Sequence, residues 1–290
     1  MNKQYADRSS NSLVSDYLTK VFSSKQRLMA RVDSIFENGF NLIFQNQLIF
    51  VGKDSNQLSA FGLSVPTKTF IEMKNALVVG QQVRIKATFT DKQEMDMSWT
   101  IYTKGKVVQI DMDDVGIVDT TLPKISIDYF LADDVLKALQ KSSIWQGSGF
   151  ATTEYLKEKY NQLIEKWDNE LAQALIGAGI GLTPSGDDFL QGFMMMELVT
   201  GENQAKLTQT IKKALDHRST TKVSENYYRV LLKGHVNYAW TQLFEAVYHK
   251  NMSEIENIIS DIQEYGATSG NDILLGVLTF LKVHQDTAEY

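Results

Sequence analysis

Residues 177–201, GAGIGLTPSGDDFLQGFMMMELVTG, constrain the fold more than any other stretch, because a glycine-rich turn, a helix start and an apolar helix follow one another without a break. Gly177, Gly179 and Gly181 alternate, so the backbone there is free to take positive φ or to lie against another segment. Thr183, Pro184 and Ser185 follow. Ser185 is placed to cap a helix, and Asp188 three residues on can answer the cap's own N–H. Asp187 adds a second carboxylate to the same turn. Phe189, Phe193 and Met196 then share one stripe, Gly192 admits a close neighbour, and Gly201 follows the last turn as a terminating glycine should. The run Met194-Met195-Met196 reads as helix core.

The opening recurs 84 positions on, where Ser185-Gly186-Asp187-Asp188-Phe189-Leu190-Gln191-Gly192 is matched by Ser269-Gly270-Asn271-Asp272-Ile273-Leu274-Leu275-Gly276. The serine, the first glycine, the second acid, one leucine and the closing glycine coincide, while Asp187 is answered by Asn271. Two helices with the same start and a glycine seven residues after the serine suggest a closely packed pair with both polar starts at one end. Such a pair could build a small polar pocket.

The chain of 290 residues is long enough for a substantial core in one large or two modest domains. Its net charge of -6, with lysine and arginine scattered, argues against a nucleic-acid footprint or an anionic-membrane patch. The absence of cysteine excludes disulfides, thiolate chemistry and sulfur-ligated metal. Residues 1–10, MNKQYADRSS, lack the apolar core of a secretion signal, and the longest apolar run, Ile273 to Leu281, is about half a membrane span, so a cytoplasmic location is expected.

Helix-like spacing over Asn11 to Arg31 supports at most a short helix. From Arg31 to Asp119 the pattern changes to short β-branched and aromatic runs: Val32 to Phe36, Phe40 to Phe44, Leu48 to Val51, Val83 to Phe89, Trp99 to Tyr102 and Val107 to Ile110. Turn signals at hairpin spacing separate them, among them Asn38-Gly39, Asn46-Gln47 and Lys104-Gly105. The segment 66–76 reads as a longer connection with a helical turn. Residues 1–125 thus form a small, mostly antiparallel β domain, barrel-like, and residues 126–290 an all-helical domain of about seven helices, together an α+β chain. Among these helices are Tyr155 to Ile176, which runs into the glycine loop, Gln204 to Leu215 and Ser224 to Leu232. Trp145 to Phe150, WQGSGF, is a break.

The loop lacks the lysine of a phosphate-cradling P-loop, and position 182 is leucine where a dinucleotide fingerprint needs its third glycine. Ser185 is no nucleophile elbow, because Thr183 stands two residues before it and no strand feeds it. Four histidines without a ligand spacing make a histidine-bound metal unexpected. Asp187 and Asp188 oppose a bare anion at this helix start by about as much as the helix dipole favours it. Either a cation such as Mg²⁺ is held by Asp187, Asp188, Asp272 and Thr183, or the aspartates accept hydrogen bonds from an amide-bearing ligand, or both motifs simply cap packed helices. A further polar cluster, His217 to Ser224, opens another helix. Thr221 and Ser224 supply hydroxyls there, and Arg218 the positive charge the aspartate loops lack.

GAGIGLTPSGDDFLQG, followed by a Thr-Thr-x-x-Ser segment, the Leu-Leu-Lys-Gly step at 231–234 and a closing T-S-G-N-D-x-L-x-G, resembles a bacterial family catalogued as a domain of unknown function and related to the AllH-type subunit of oxamate carbamoyltransferase. The family places an arginine directly before the threonine pair, where this chain has Ser219, with Arg218 one place earlier. The resemblance covers the helical half. It implies a subunit of an enzyme of allantoin and purine-nitrogen breakdown that converts oxalurate and phosphate to oxamate and carbamoyl phosphate. Its implied partners are an FdrA-type, acyl-CoA-synthetase-like subunit and a further subunit of unknown-function type. On that basis Asp187, Asp188 and Asp272 are the catalytic candidates, or the ligands of Mg²⁺ if it is present. Gly179, Gly181, Thr183, Ser185, Gly186, Arg218, Thr221, Ser224, Ser269, Gly270 and Asn271 are the binding candidates for a small polar or anionic substrate.

Overall fold

A computed structural model describes residues 12–23, 27–53, 58–202 and 206–285. The reading of residues 1–10 lies outside them, as do residues 11 and 24–26 of the leading helical segment and residues 204–205 of the helix expected to begin there. The chain forms two compact units, one of residues 1–121 with 235–238, the other of residues 122–234 with 239–290.

The first unit is a closed eight-stranded barrel. Its strands are β1 (Leu13–Ser15), β2 (Leu28–Ile35), β3 (Gly39–Phe44), β4 (Gln47–Gly52), β5 (Gly62–Ser64), β6 (Gln82–Phe89), β7 (Glu94–Tyr102) and β8 (Val107–Val118), in the order β1-β5-β4-β3-β2-β6-β7-β8. Most neighbours are antiparallel, but β1 pairs parallel with β8 and β4 parallel with β5. Alternating side chains fill the inside: Val32, Phe40, Leu42, Val51, Ile85, Trp99 and Ile101 are all buried. Trp99 meets Phe40 edge to face at 6.4 Å. Expelling water from a ring of this size is worth about 2–3 kcal/mol, so these residues fix the register of the strands.

Three sequence expectations change here. Strands β1 and β5 are too short to show alternation, and only the closure of the barrel reveals them. Strand β8 continues past Ile110, because Asp111 and Asp113 point outward while Met112, Val115 and Val118 point inward. A bulge at Asp114, φ 54, resets the alternation. The connection at 66–76 is a full helix, Thr67–Ala76, that seats Phe70 and Met73 in the core.

At the end of β8, Thr120 donates to Asp16 Oδ1 at 2.6 Å through its hydroxyl and at 2.9 Å through its N–H. His235 Nδ1 lies 3.4 Å from the same oxygen. Burial alone would raise Asp16, but the hydrogen bonds with His235 and Thr120 outweigh it and hold the carboxyl at about 2.

The two helices beside the barrel are α1 (Asp16–Ser23) and α2 (Thr67–Ala76). The second unit carries α3 (Asp133–Lys141), α4 (Ile144–Gly147), α5 (Gly149–Thr152), α6 (Glu154–Glu165), α7 (Asn169–Gln173), α8 (Ser185–Thr200), α9 (Leu207–Ala214), α10 (Lys222–Leu231), α11 (Tyr238–Tyr248), α12 (Met252–Gln263) and α13 (Ser269–Gln285). The count exceeds seven for two reasons. The expected helix 155–176 breaks at 166–168, where the Asp168 side chain caps α7 by accepting from Glu170 N at 2.6 Å, and Trp167 stacks on Phe193 at 4.2 Å. WQGSGF is not a loop but parts of two single turns, the second capped by Ser148.

Helix α8 is buried on every side, as an apolar helix at the centre of a unit must be. Its main neighbour is α13. Gly201 ends α8 in the left-handed conformation, φ 78.

Candidate functional site

The two repeated motifs meet at their first turns. A Cβ on Gly192 would overlap the carbonyl oxygen of Ile273, and a Cβ on Gly276 would overlap that of Phe189. Since Phe189 and Ile273 hold equivalent places in the repeat, the two contacts are the same contact seen from each side. The second glycine of each motif obeys the same symmetry. Gly186 lies against the carbonyl of Leu175, just after α7, and Gly270 against that of Ile262 near the end of α12. Side chains at these four positions would force backbone apart, so glycine is a packing requirement of the pair.

This interlock brings the polar starts together. The hydroxyl oxygens of Thr183 and Ser269 are 2.8 Å apart, and those of Ser185 and Thr268 3.5 Å. Asp188 faces the hydroxyls of Ser269 and Thr183, while Asp272 faces those of Ser185 and Thr268. Each aspartate is therefore served by the serine of the other motif. This corrects the expectation that Ser185 caps its own helix. Pro184 occupies the cap position of α8 and offers no side-chain bond, which leaves Ser185 as the first helical residue with its hydroxyl turned across the pair.

All three candidate acids are buried: Asp187 and Asp272 are 0% exposed and Asp188 2%. Burial pushes Asp188 well above the usual carboxylate range. The hydroxyls of Ser269 and Thr183 draw it back, and the neighbouring Asp272 and Asp187 add to the rise. Asp272 is pushed up to about 6 by burial, opposed by Ser185, Thr268 and the N–H groups of Gly149 and Phe150. The Gly149 N–H donates to its Oδ1 at 2.9 Å. The Oδ2 atoms of both Asp188 and Asp272 are buried without a hydrogen-bond partner. Burial thus favours the protonated form of Asp188, while Asp272, at about 6, is largely ionised near neutral pH.

Asp187 does something different. Its Oδ1 accepts from Gly177 N at 3.0 Å and from the Tyr228 hydroxyl at 3.0 Å, and its Oδ2 from the Thr220 hydroxyl. Burial raises its pKa against these donors. The carboxylate ties together the glycine loop, the threonine segment and α10. Gly177, Gly179 and Gly181 take φ of 72, 125 and 94, all left-handed. Gly179 has no room for a Cβ, which would stand 2.7 Å from Ser185 N, whereas Gly181 faces open space. The tip is exposed, with Ile180 at 92%. Thr221 caps α10 by accepting from Ser224 N at 3.1 Å and donates to Leu182 O, pinning the loop's far side.

The remaining candidates divide. Ser224 is buried beside Asp187. Arg218 is exposed, two residues from Thr220. Asn271 turns away from the aspartates, accepting from Gln263 Nε2 at 2.8 Å and packing on Gly147. The three aspartates are not a metal-ligand set, since among the described residues no group of three His, Asp or Glu side chains could hold an ion. The oxygens of Asp187 and Oδ1 of Asp272 are committed to separate protein donors, which displaces the Mg²⁺ expectation.

Gly149, Thr220 and Tyr228 also belong to this network. A Cβ on Gly149 would overlap the Ser185 hydroxyl and lie 3.5 Å from Asp272 Oδ2. Ser148-Gly149 is a third Ser-Gly step, and that dipeptide was its only sequence signal.

Residues 175–281 match the family described as oxamate carbamoyltransferase subunit AllH, and the chain is related to that family over this stretch. The matched residues span the glycine loop, both Ser-Gly-acid starts and the threonine segment between them. No curated protein and no solved structure matches the chain. No described helix is long and apolar enough to cross a membrane.

Proposed function

We propose that this chain is the AllH-like subunit of a cytoplasmic carbamoyl-transferring complex that converts oxalurate and phosphate to oxamate and carbamoyl phosphate in allantoin breakdown. Its partners in this reading are an FdrA-type, acyl-CoA-synthetase-like subunit and a further subunit. The observation that carries the proposal is the reciprocal pair of Asp188 and Asp272, each with a buried unpartnered Oδ2, inside the matched segment. Groups left unsatisfied in a dry interior are costly and are retained where a ligand or reaction uses them.

The reaction asks for two things such a pair can supply. As phosphate oxygen attacks the carbamoyl carbon, the bond from that carbon to the oxamate nitrogen breaks, and the nitrogen must gain a proton. Asp188, whose burial favours the protonated carboxyl, is the donor. Asp272, largely ionised at neutral pH, accepts from the carbamoyl NH₂ and orients it. Arg218 and the backbone of Gly179, Gly181 and Thr183 meet the substrate's negative end. Asp187 positions the loop and touches no substrate. Because the aspartates are closed to solvent, substrate entry requires the loop to move.

Binding tests this reading. Titration of the reconstituted complex with oxamate and with carbamoyl phosphate should give saturable heats, and Arg218→Ala should weaken at least one of them by about tenfold, the scale of one charged hydrogen bond. Absence of binding by the wild-type complex would contradict it. A second reading, a purely structural assembly subunit, is favoured by the completeness of the glycine interlock. It predicts that Asp188→Asn lowers melting temperature or subunit association and leaves the rate per assembled complex unchanged.

A further inference from the structure

We propose that the helical unit carries a second small-molecule site, a groove of about 440 Å³ between α3–α4, α6 and α13 that takes a planar organic anion. It contains none of the loop residues and none of the three aspartates. The volume falls in the range of pockets that hold cofactor fragments and metabolites.

The lining names the ligand's chemistry. Trp145 and Tyr160 form the aromatic part, with ring centroids 5.0 Å apart and planes tilted by 40°. Leu275 and Leu278 from α13, with Leu139, Ile144 and Ile164, extend the apolar part. An aromatic wall of this kind favours a flat ring, which gains offset or edge-to-face contact as well as burial. Around it stand amides that can donate hydrogen bonds, Gln146 and Asn161 among them. Among the described residues, Lys282 is the one charged residue of the lining, and none of them places a carboxylate in the groove. A cation beside donors, with no opposing acid among the described lining residues, selects an anion over a neutral or cationic ring.

The wall is also held in an unfavourable conformation. Ser143, between α3 and α4, has φ 52, a left-handed backbone that costs a serine about 1 kcal/mol. The surrounding packing holds the turn that presents Ile144 and Trp145 to the groove.

Matched probes test the proposal on the full-length protein: naphthalene-2-carboxylate and naphthalene-2-carboxamide, with affinity measured by calorimetry and Trp fluorescence. The carboxylate should bind saturably and about tenfold or more tighter than the carboxamide. Lys282→Gln, a surface change that leaves the melting temperature in place, should bring the two affinities together. Trp145→Ala should weaken both probes by a similar factor. The proposal is overturned if the carboxylate shows no saturable binding, if the two probes bind equally to the wild type, or if Lys282→Gln leaves their ratio unchanged.

Discussion

Thr183 and Ser269 place their hydroxyl oxygens 2.8 Å apart although each belongs to a different copy of the repeated motif. That contact exists because the glycines behind it let two helix backbones touch, and it sets Asp188 and Asp272 each beside the serine of the other copy.

The interlock itself makes the first prediction. Gly192→Ala and Gly276→Ala each add a methyl group where a carbonyl oxygen already lies. Each should cost about 2–3 kcal/mol, at the upper end of overpacking penalties. Because both substitutions push on one interface, the double variant should cost less than the sum. Denaturant midpoints measure this, and neutral substitutions would show that the helices do not approach so closely.

Stability should depend on pH in an unusual direction. An unfolded aspartate ionises near pH 4, whereas folded Asp272 does so at about 6. Between those values the folded chain holds a proton that the unfolded chain has lost, so stability falls as pH rises through the window and stays lower above it. The effect is on the order of 3 kcal/mol for Asp272, and Asp188 acts in the same direction. Asp272→Asn should flatten this slope in melting temperatures taken from pH 4 to 8.

The barrel should show the opposite behaviour at lower pH. Asp16, held at about 2, stabilises the fold above its unfolded pKa, and that contribution is lost as pH falls from about 4 toward 2. Part of its side chain is open to solvent, so the contribution is about 1–2 kcal/mol after screening. Asp16→Asn should lower stability at pH 7 and leave it nearly unchanged at pH 2, a difference read from chemical denaturation at the two values.

Asp187 anchors the loop through Gly177, Thr220 and Tyr228. Asp187→Ala strands three donors and should cost about 2–4 kcal/mol, while Tyr228→Phe removes one and should cost about 1 kcal/mol. Hydrogen exchange at residues 177–183 should speed up in both variants. Exchange as slow as in the wild type would show that the loop is held by something else.

Much of this arrangement was readable in the chain, and the exceptions share a cause. Alternating glycines at 177, 179 and 181 marked a loop free to take positive φ or to lie against another segment, and Gly177 and Gly179 do both. The strands from Phe40 to Phe44 and Val83 to Phe89 were visible because one face of each is buried and the other is not. Three-residue strands such as Leu13–Ser15 have no period to detect. The tail of β8 was hidden because Asp111, Asp113 and Asp114 look like a turn until the partner strand shows which way they point. Ser185 was misread as a cap for the same reason. Its sequence neighbours fit a capping box, but its actual neighbour, Asp272, lies far along the chain. Gly149 carried too little local signal for its N–H to be placed on Asp272.

In the proposed function, substrate is handled where the two Ser-Gly-acid starts meet. The most direct test of this is the rate of oxalurate phosphorolysis per assembled complex, with Asp188→Asn compared against wild type at equal subunit stoichiometry. Asp188→Asn should lower that rate by about a hundredfold or more, the scale of a lost proton donor, with assembly intact. An unchanged rate per complex would contradict it.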